Sequence, residues 1–165
     1  MPSFSYDIVC DYDKGEINNV YDQVHKEIAS RYDFKGSSAS IEWLSADKDG
    51  FKITGDSEFQ IDSIIDIIRK RLAGRNQSQK ILDVSADIVV SNLKSTKVIP
   101  FLKGIKQSDS KKITALIREY NPKLKCAIQG EAIRVSSSSK DDLQALMGYL
   151  RTHDFDFPLM FTNYR

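Results

Sequence analysis

Apolar residues recur at helical spacing in four stretches of the chain. They are Ile17, Val20, Tyr21, Val24 and Ile28; Ile61, Ile64, Ile65, Ile68 and Leu72; Ile113, Leu116, Ile117 and Tyr120; and Leu143, Leu146, Met147 and Leu150. A period near 3.6 with a polar back predicts amphipathic helices, each packing on one side only. Start signals precede them. Asp13-Lys14-Gly15-Glu16 and Ser57-Glu58-Phe59-Gln60 have the form of capping boxes. Ser108 stands before the third stretch, and Ser139 before the fourth, where Asp141 and Asp142 suit the helix dipole.

Between these stretches lie short β-like runs at 5–10, 40–44, 51–54, 125–129, 132–136 and 159–163. Lys48-Asp49-Gly50 and Gln129-Gly130-Glu131 read as hairpin turns. Residues 84–102 read as one long or broken strand, with Pro100 confined to a bulge or an edge. The halves repeat. "KITGDSEFQIDSIIDIIRKRL" lies over "RVSSSSKDDLQALMGYLRTHD", so that Lys52 meets Arg134, Ile53 meets Val135, Ile61 meets Leu143 and Arg69 meets Arg151. Upstream, "IASRY" at 28–32 falls over "LIREY" at 116–120. Each half therefore has the βαββαβ plan, an α+β ferredoxin-like unit with an antiparallel sheet covered on one side by two helices.

Composition narrows the function. The chain has 165 residues, enough for one ordinary domain or two small ones. Lys plus Arg number 24 against 23 for Asp plus Glu, a balance unlike the strongly basic footprint of a DNA-coating protein. The start, "MPSFSYDIVCDYDKGE", lacks a secretory pattern, and no apolar run has the length of a membrane span. Cys10 and Cys126 are too few for a disulfide scaffold, which points to the cytoplasm.

Catalytic signatures are missing from the sequence. His25 and His153 each stand alone, away from metal-ligand spacing with the cysteines. There is no G-x-x-x-x-G-K-[ST] loop and no G-x-S-x-G elbow. The serine run 136–139 is a solvated turn ending in a helix cap, and "AIQGEAIR" echoes an acylphosphatase signature without its Gly-rich approach. The aromatic pattern of an RNA-recognition sheet is also missing: the corresponding strands carry Trp43 and Phe51 in one half but Ala127 and Ile133 in the other. What remains is a set of cations, Arg31, Lys35, Lys103, Arg134 and Arg165, able to make charge-assisted hydrogen bonds to phosphates. Phe34, Phe155, Phe157, Phe161 and Tyr164 are the aromatic candidates for stacking on a base, although Phe161 also fits strand packing. In "RYDFKG" (31–36), Gly36 is expected to end the helix at positive φ, Phe34 to anchor the turn, and Arg31 and Lys35 to be presented on it. Arg31 and Lys35 of the first half and Arg134 of the second are expected to serve one anion.

"MPSFSYDIV", "EIASRYDFKG", "IQGEAIRV", "DDLQALMGYLR" and the closing "PLMFTNYR" resemble the YajQ family of small bacterial proteins over nearly the whole chain. The resemblance implies two ferredoxin-like units, 1–83 and 84–165, with strand 4–10 exchanged into the second and a strand within 84–103 exchanged into the first. It implies a non-enzymatic nucleotide-binding protein without a cofactor. The ligand would be cyclic di-GMP or a nucleotide of the GTP/ATP class, or else RNA, and a transcription regulator would be the downstream partner. An interaction protein with no nucleotide ligand is the alternative. The ligand-binding candidates are Arg31, Phe34, Lys35, Lys103, Arg134 and Arg165. The chain departs from the family pattern in having no glycine between Gly74 and Gly104, where a Gly-containing connection is expected.

Overall fold

The computed structural model describes residues 3–165. In chain order these form β1 (Phe4–Val9), α1 (Lys14–Ser30), β2 (Ser40–Trp43), β3 (Gly50–Gly55), α2 (Glu58–Gly74), β4 (Val89–Ser91), β5 (Lys94–Pro100), α3 (Gln107–Tyr120), β6 (Lys125–Gln129), β7 (Ala132–Ser137), α4 (Lys140–Arg151) and β8 (Met160–Thr162). Two compact units result. One comprises Tyr12–Leu102; the other joins the stretch ending at Asp11 to Lys103–Arg165. Each contains a four-stranded antiparallel sheet, ordered β2-β3-β5-β4 in the first and β6-β7-β1-β8 in the second. Helices α1 and α2 pack on the first sheet, α3 and α4 on the second. The expected α+β architecture of tandem ferredoxin-like units is therefore borne out.

The helices form where the apolar stripes lie, because each stripe is the buried side. Ile17, Val20, Val24 and Ile28 of α1 and Ile61, Ile64, Ile68 and Leu72 of α2 close over Phe51, Ile53 and Ile99 of the first sheet. Ile113 and Ile117 of α3 and Leu143, Leu146 and Leu150 of α4 are buried in the unit that also buries Tyr6, Ile8, Ile133 and Val135. Burial of one such side chain stabilises by roughly 1.5–3 kcal/mol. Asp13, Ser57 and Ser139 cap their helices as expected, accepting the amides of Glu16, Gln60 and Asp142. The first two boxes are not closed reciprocally. Glu16 instead pairs with Arg75, and Gln60 Oε1 accepts the Asp56 amide. Helix α3 starts earlier than Ser108: Lys106 is its N-cap and offers no capping side chain. A polar seam joins α1 to α2, with Arg71 donating to Glu27 at 2.7 and 3.1 Å and Arg75 to Glu16 at 2.5 and 3.2 Å.

Two turns differ from expectation. Residues 84–102, expected as one long or broken strand, break and reverse into the β4–β5 hairpin, turned by Asn92 and Leu93 at φ 52° and 63°. Both central residues at positive φ is the type I′ arrangement, whose usual signal is a glycine. At Lys48-Asp49-Gly50 it is Lys48 that takes positive φ, while Gly50 is the first residue of β3. The glycine serves strand contact: a Cβ there would lie 2.7 Å from both the Ile99 carbonyl oxygen and Pro100 Cα. Gly130, at φ 60°, turns the β6–β7 hairpin as expected.

Leu93 is 92% exposed, so its side chain packs on almost nothing while its backbone is strained. Leu93→Gly should raise stability by about 1 kcal/mol, read as a higher urea midpoint at unchanged slope. Gly50→Ala should lower it by about 1–3 kcal/mol in the same measurement.

Candidate functional site

Helix α1 ends sooner than Gly36. Arg31, at φ −72° and ψ 131°, already leaves the helical region while its amide still donates to the Glu27 carbonyl. A single 3-10 turn, Tyr32–Phe34, follows, and Gly36 at φ 74° redirects the chain after it. Phe34 is the anchor, 5% exposed within the core. The Arg31 guanidinium lies 4.9 Å from the Phe34 ring centre and donates twice to Asp33, at 2.9 and 2.7 Å, with Glu27 at 3.6 Å. The arginine holds the Asp33 carboxyl below the ordinary carboxylate range. Lys35 is exposed and makes no ion pair among the described residues. It stands at the lip of a concavity of about 340 Å³, whose walls include His25, Ile28, Phe34, Ser37 and Ile41. Ser37 fixes the wall: its hydroxyl donates to the Phe34 carbonyl at 2.6 Å and accepts the Ala39 amide at 3.2 Å.

The remaining candidates belong to the other unit. Arg134 on β7 faces its cross-strand partner Asp7 on β1, donating to the two carboxylate oxygens at 2.9 and 3.4 Å. Asn163 donates to the same carboxylate at 3.0 Å. The hydrogen bond from Arg134 holds the Asp7 carboxyl below its ordinary value, with a smaller contribution from Asn163. Lys103 is exposed beside a concavity of about 260 Å³ shared with Cys10, Gly104, Glu131 and Thr162. Arg165 stands at the rim of a third, of about 250 Å³, and its main chain pairs with Ser5. Of the six candidates, Arg31, Phe34 and Lys35 belong to one unit and Lys103, Arg134 and Arg165 to the other. Both Arg31 and Arg134 are engaged by carboxylates of their own units.

The aromatic positions that an RNA-recognition sheet would expose are committed to packing. Phe51 is fully buried, and Trp43 stacks on Tyr21 with ring centres 4.6 Å apart. Phe161 likewise meets Tyr6 edge-on at 5.5 Å. Burial pushes the Cys10 thiol up to about 11, which keeps it protonated and fits a small packed side chain. Among the described residues no group of His, Cys, Asp and Glu is arranged to hold a metal ion, and no helix is long and apolar enough to cross a membrane.

Fold and surface together describe two small α+β units bearing concavities, one edged by Lys35 and another by Lys140 and Arg165. The family model of YajQ-like nucleotide-binding proteins matches residues 4–165, and the chain belongs to that family. It is 42% identical over 163 residues to a protein of Nostoc punctiforme named as a nucleotide-binding protein, covering 99% of this chain and 98% of that one. Proteins of the same name from Nocardioides and Mycolicibacterium gilvum are 40% and 41% identical, each covering 100% of both chains.

The Asp7 pair carries a pH signature. Because the folded-state pKa is depressed, its stabilisation is complete above the unfolded value and is lost as pH falls through the folded one. The stability gap between the parent chain and Asp7→Asn should be open at about pH 7 and close below about pH 4. Urea midpoints across that range check it; a gap independent of pH would show that the charge does not matter.

Proposed function

We propose that this chain binds a nucleotide without turning it over, and that the turn at 31–36 supplies the phosphate contact. The observation that carries the reading is Lys35: an exposed ammonium, without an ion pair among the described residues, on a turn anchored by a buried phenylalanine at the lip of a concavity. A cation held on a fixed turn loses little freedom on meeting an anion, which is how a binding group is preorganised. His25 is exposed on the wall and offers a ring to a base. Family membership supports a nucleotide as the ligand, and the relatives bear the name of binding proteins. Cyclic di-GMP is the first ligand to test, followed by GTP and ATP. Binding would then act in regulation, through a protein partner such as a transcription regulator.

A thermal screen with cyclic di-GMP, GTP, ATP and short RNA tests the reading. A ligand at 100 times its Kd should stabilise by about 2.7 kcal/mol. Lys35→Ala should weaken its binding about tenfold or more while leaving the Tm of the free protein nearly unchanged. Absence of any nucleotide-dependent shift would sink the proposal, and a shift with RNA alone would replace it by the RNA reading. Turnover that disappears in a point variant would overturn the non-enzymatic assignment.

A further inference from the structure

We propose that the unit built on β1 and α4 has a ligand site of its own, for a small amphipathic anion: an apolar group of one or two rings, or a short alkyl chain, bearing one anionic head. The site is the concavity of about 250 Å³ at Phe4, Tyr6, Leu143, Met147 and Tyr164, with Lys140 and Arg165 at its rim. It does not involve the turn at 31–36.

Local geometry explains how the walls arise. Phe4 and Tyr6 are two apart on β1 and therefore share a face of the strand. Leu143 and Met147 are four apart on α4, as are Lys140 and Gln144, giving an apolar row beside a polar one. The Tyr6 hydroxyl donates to the Leu143 carbonyl at 2.8 Å, which satisfies it and fixes the ring, itself 2% exposed, as the floor of the concavity. Tyr164 meets Tyr6 edge-on at 6.0 Å yet is 63% exposed, so a large aromatic flanks the opening.

Charge selects the head group. Neither Lys140 nor the Arg165 side chain makes an ion pair among the described residues, and no side chain lining the concavity is a carboxylate. Asp141 and Asp142 share the first turn of α4 with Lys140, and Asp7 interacts with the Arg165 charge, but none of the three lines the concavity. An apolar cavity of about 150 Å³ accepts benzene. The larger space here accepts two fused rings or a short chain, with its anion held between the two cations.

The test is an amide NMR titration of the whole chain with 2-naphthoate, octanoate and the neutral 2-naphthalenemethanol. Shifts should cluster at Tyr6, Gln144, Met147 and Tyr164, and the better of the two anions identifies an aryl or an acyl ligand. The neutral ring compound should bind about fivefold or more weakly than naphthoate, and Lys140→Ala and Arg165→Ala should each weaken the anions about threefold to tenfold. Gln144→Trp replaces an exposed rim side chain and should block binding while preserving the spectrum elsewhere; Lys140→Glu should do the same by charge. No clustered shifts at about 5 mM, a concentration that would reveal millimolar binding, would overturn the site. So would equal binding of the neutral compound, or unchanged binding in both Gln144→Trp and Lys140→Glu. Displacement of naphthoate by cyclic di-GMP would also overturn it as a separate site, whereas failure of cyclic di-GMP to bind anywhere would count only against the nucleotide reading.

Discussion

The sheet of β6, β7, β1 and β8 depends on β1 hydrogen-bonding along both of its edges. Tyr6 and Ile8 stand opposite Val135 and Ile133 on one side, and Ile8 stands opposite Phe161 on the other. Without that strand the β6–β7 hairpin and β8 would be separate pieces, since neither pairs with the other. The alternation of β1 then divides its duties. Tyr6 and Ile8 enter the core; Asp7 points to the opposite face and meets Arg134. Phe4 and Tyr6 together reach the wall of the cavity beside α4. Packing, ion pair and concavity are consequences of one six-residue strand and its period of two.

Much of this was legible in the sequence where a local pattern dictates the outcome. The apolar stripes placed all four described helices, since burying one stripe is the only stable arrangement for such a segment. Gly130 marked its hairpin because a glycine adopts positive φ freely. The β4–β5 hairpin stayed hidden for the converse reason: Asn92 and Leu93 make a glycine-type turn without a glycine, so no residue announced it. Gly50 misled in the other direction, being required by backbone contact with Ile99 and Pro100 instead of by a turn.

The candidate site was legible only in part, because spacing along the chain does not show what a side chain meets across the fold. "RYDFKG" could be read as an anchored turn, and Phe34 is its anchor. The commitment of Arg31 to Asp33 is local and in principle readable; that of Arg134 to Asp7 spans 127 positions and is not. Physical chemistry sorts the cations further. A guanidinium matches a carboxylate with two parallel hydrogen bonds, so an arginine near an acid is readily taken up by the fold. Arg31, Arg75 and Arg134 are used in that way, and Arg71 gives both of its bonds to one oxygen of Glu27. Lys35 and Lys140 make no ion pair among the described residues, so their charges are the ones left for a ligand in the two proposed sites.

The internal repeat gives the Arg134 pair a further meaning. Lys52 and Arg134 occupy matching positions in the two halves, each on the second strand of a hairpin and each on the face away from the helices. Both have a carboxylate opposite, but from different strands: Glu42 of β2 faces Lys52, whereas Asp7 of β1 faces Arg134, whose hairpin neighbour is Ala127. Opposite charges directly across a ladder favour that pairing, and a slip of one residue would carry each to the wrong face. What the two units share is therefore a cation at one row of the sheet with an acid across from it. In one unit that row lies within a hairpin, where Lys52 and Glu42 stand opposite without an ion pair among the described residues; in the other it ties the hairpin to β1, the strand farthest from it in sequence. A charge pair across the ladder favours the neighbours it joins before any ligand arrives, so Arg134 has a structural partner in Asp7 that supports the register of β1.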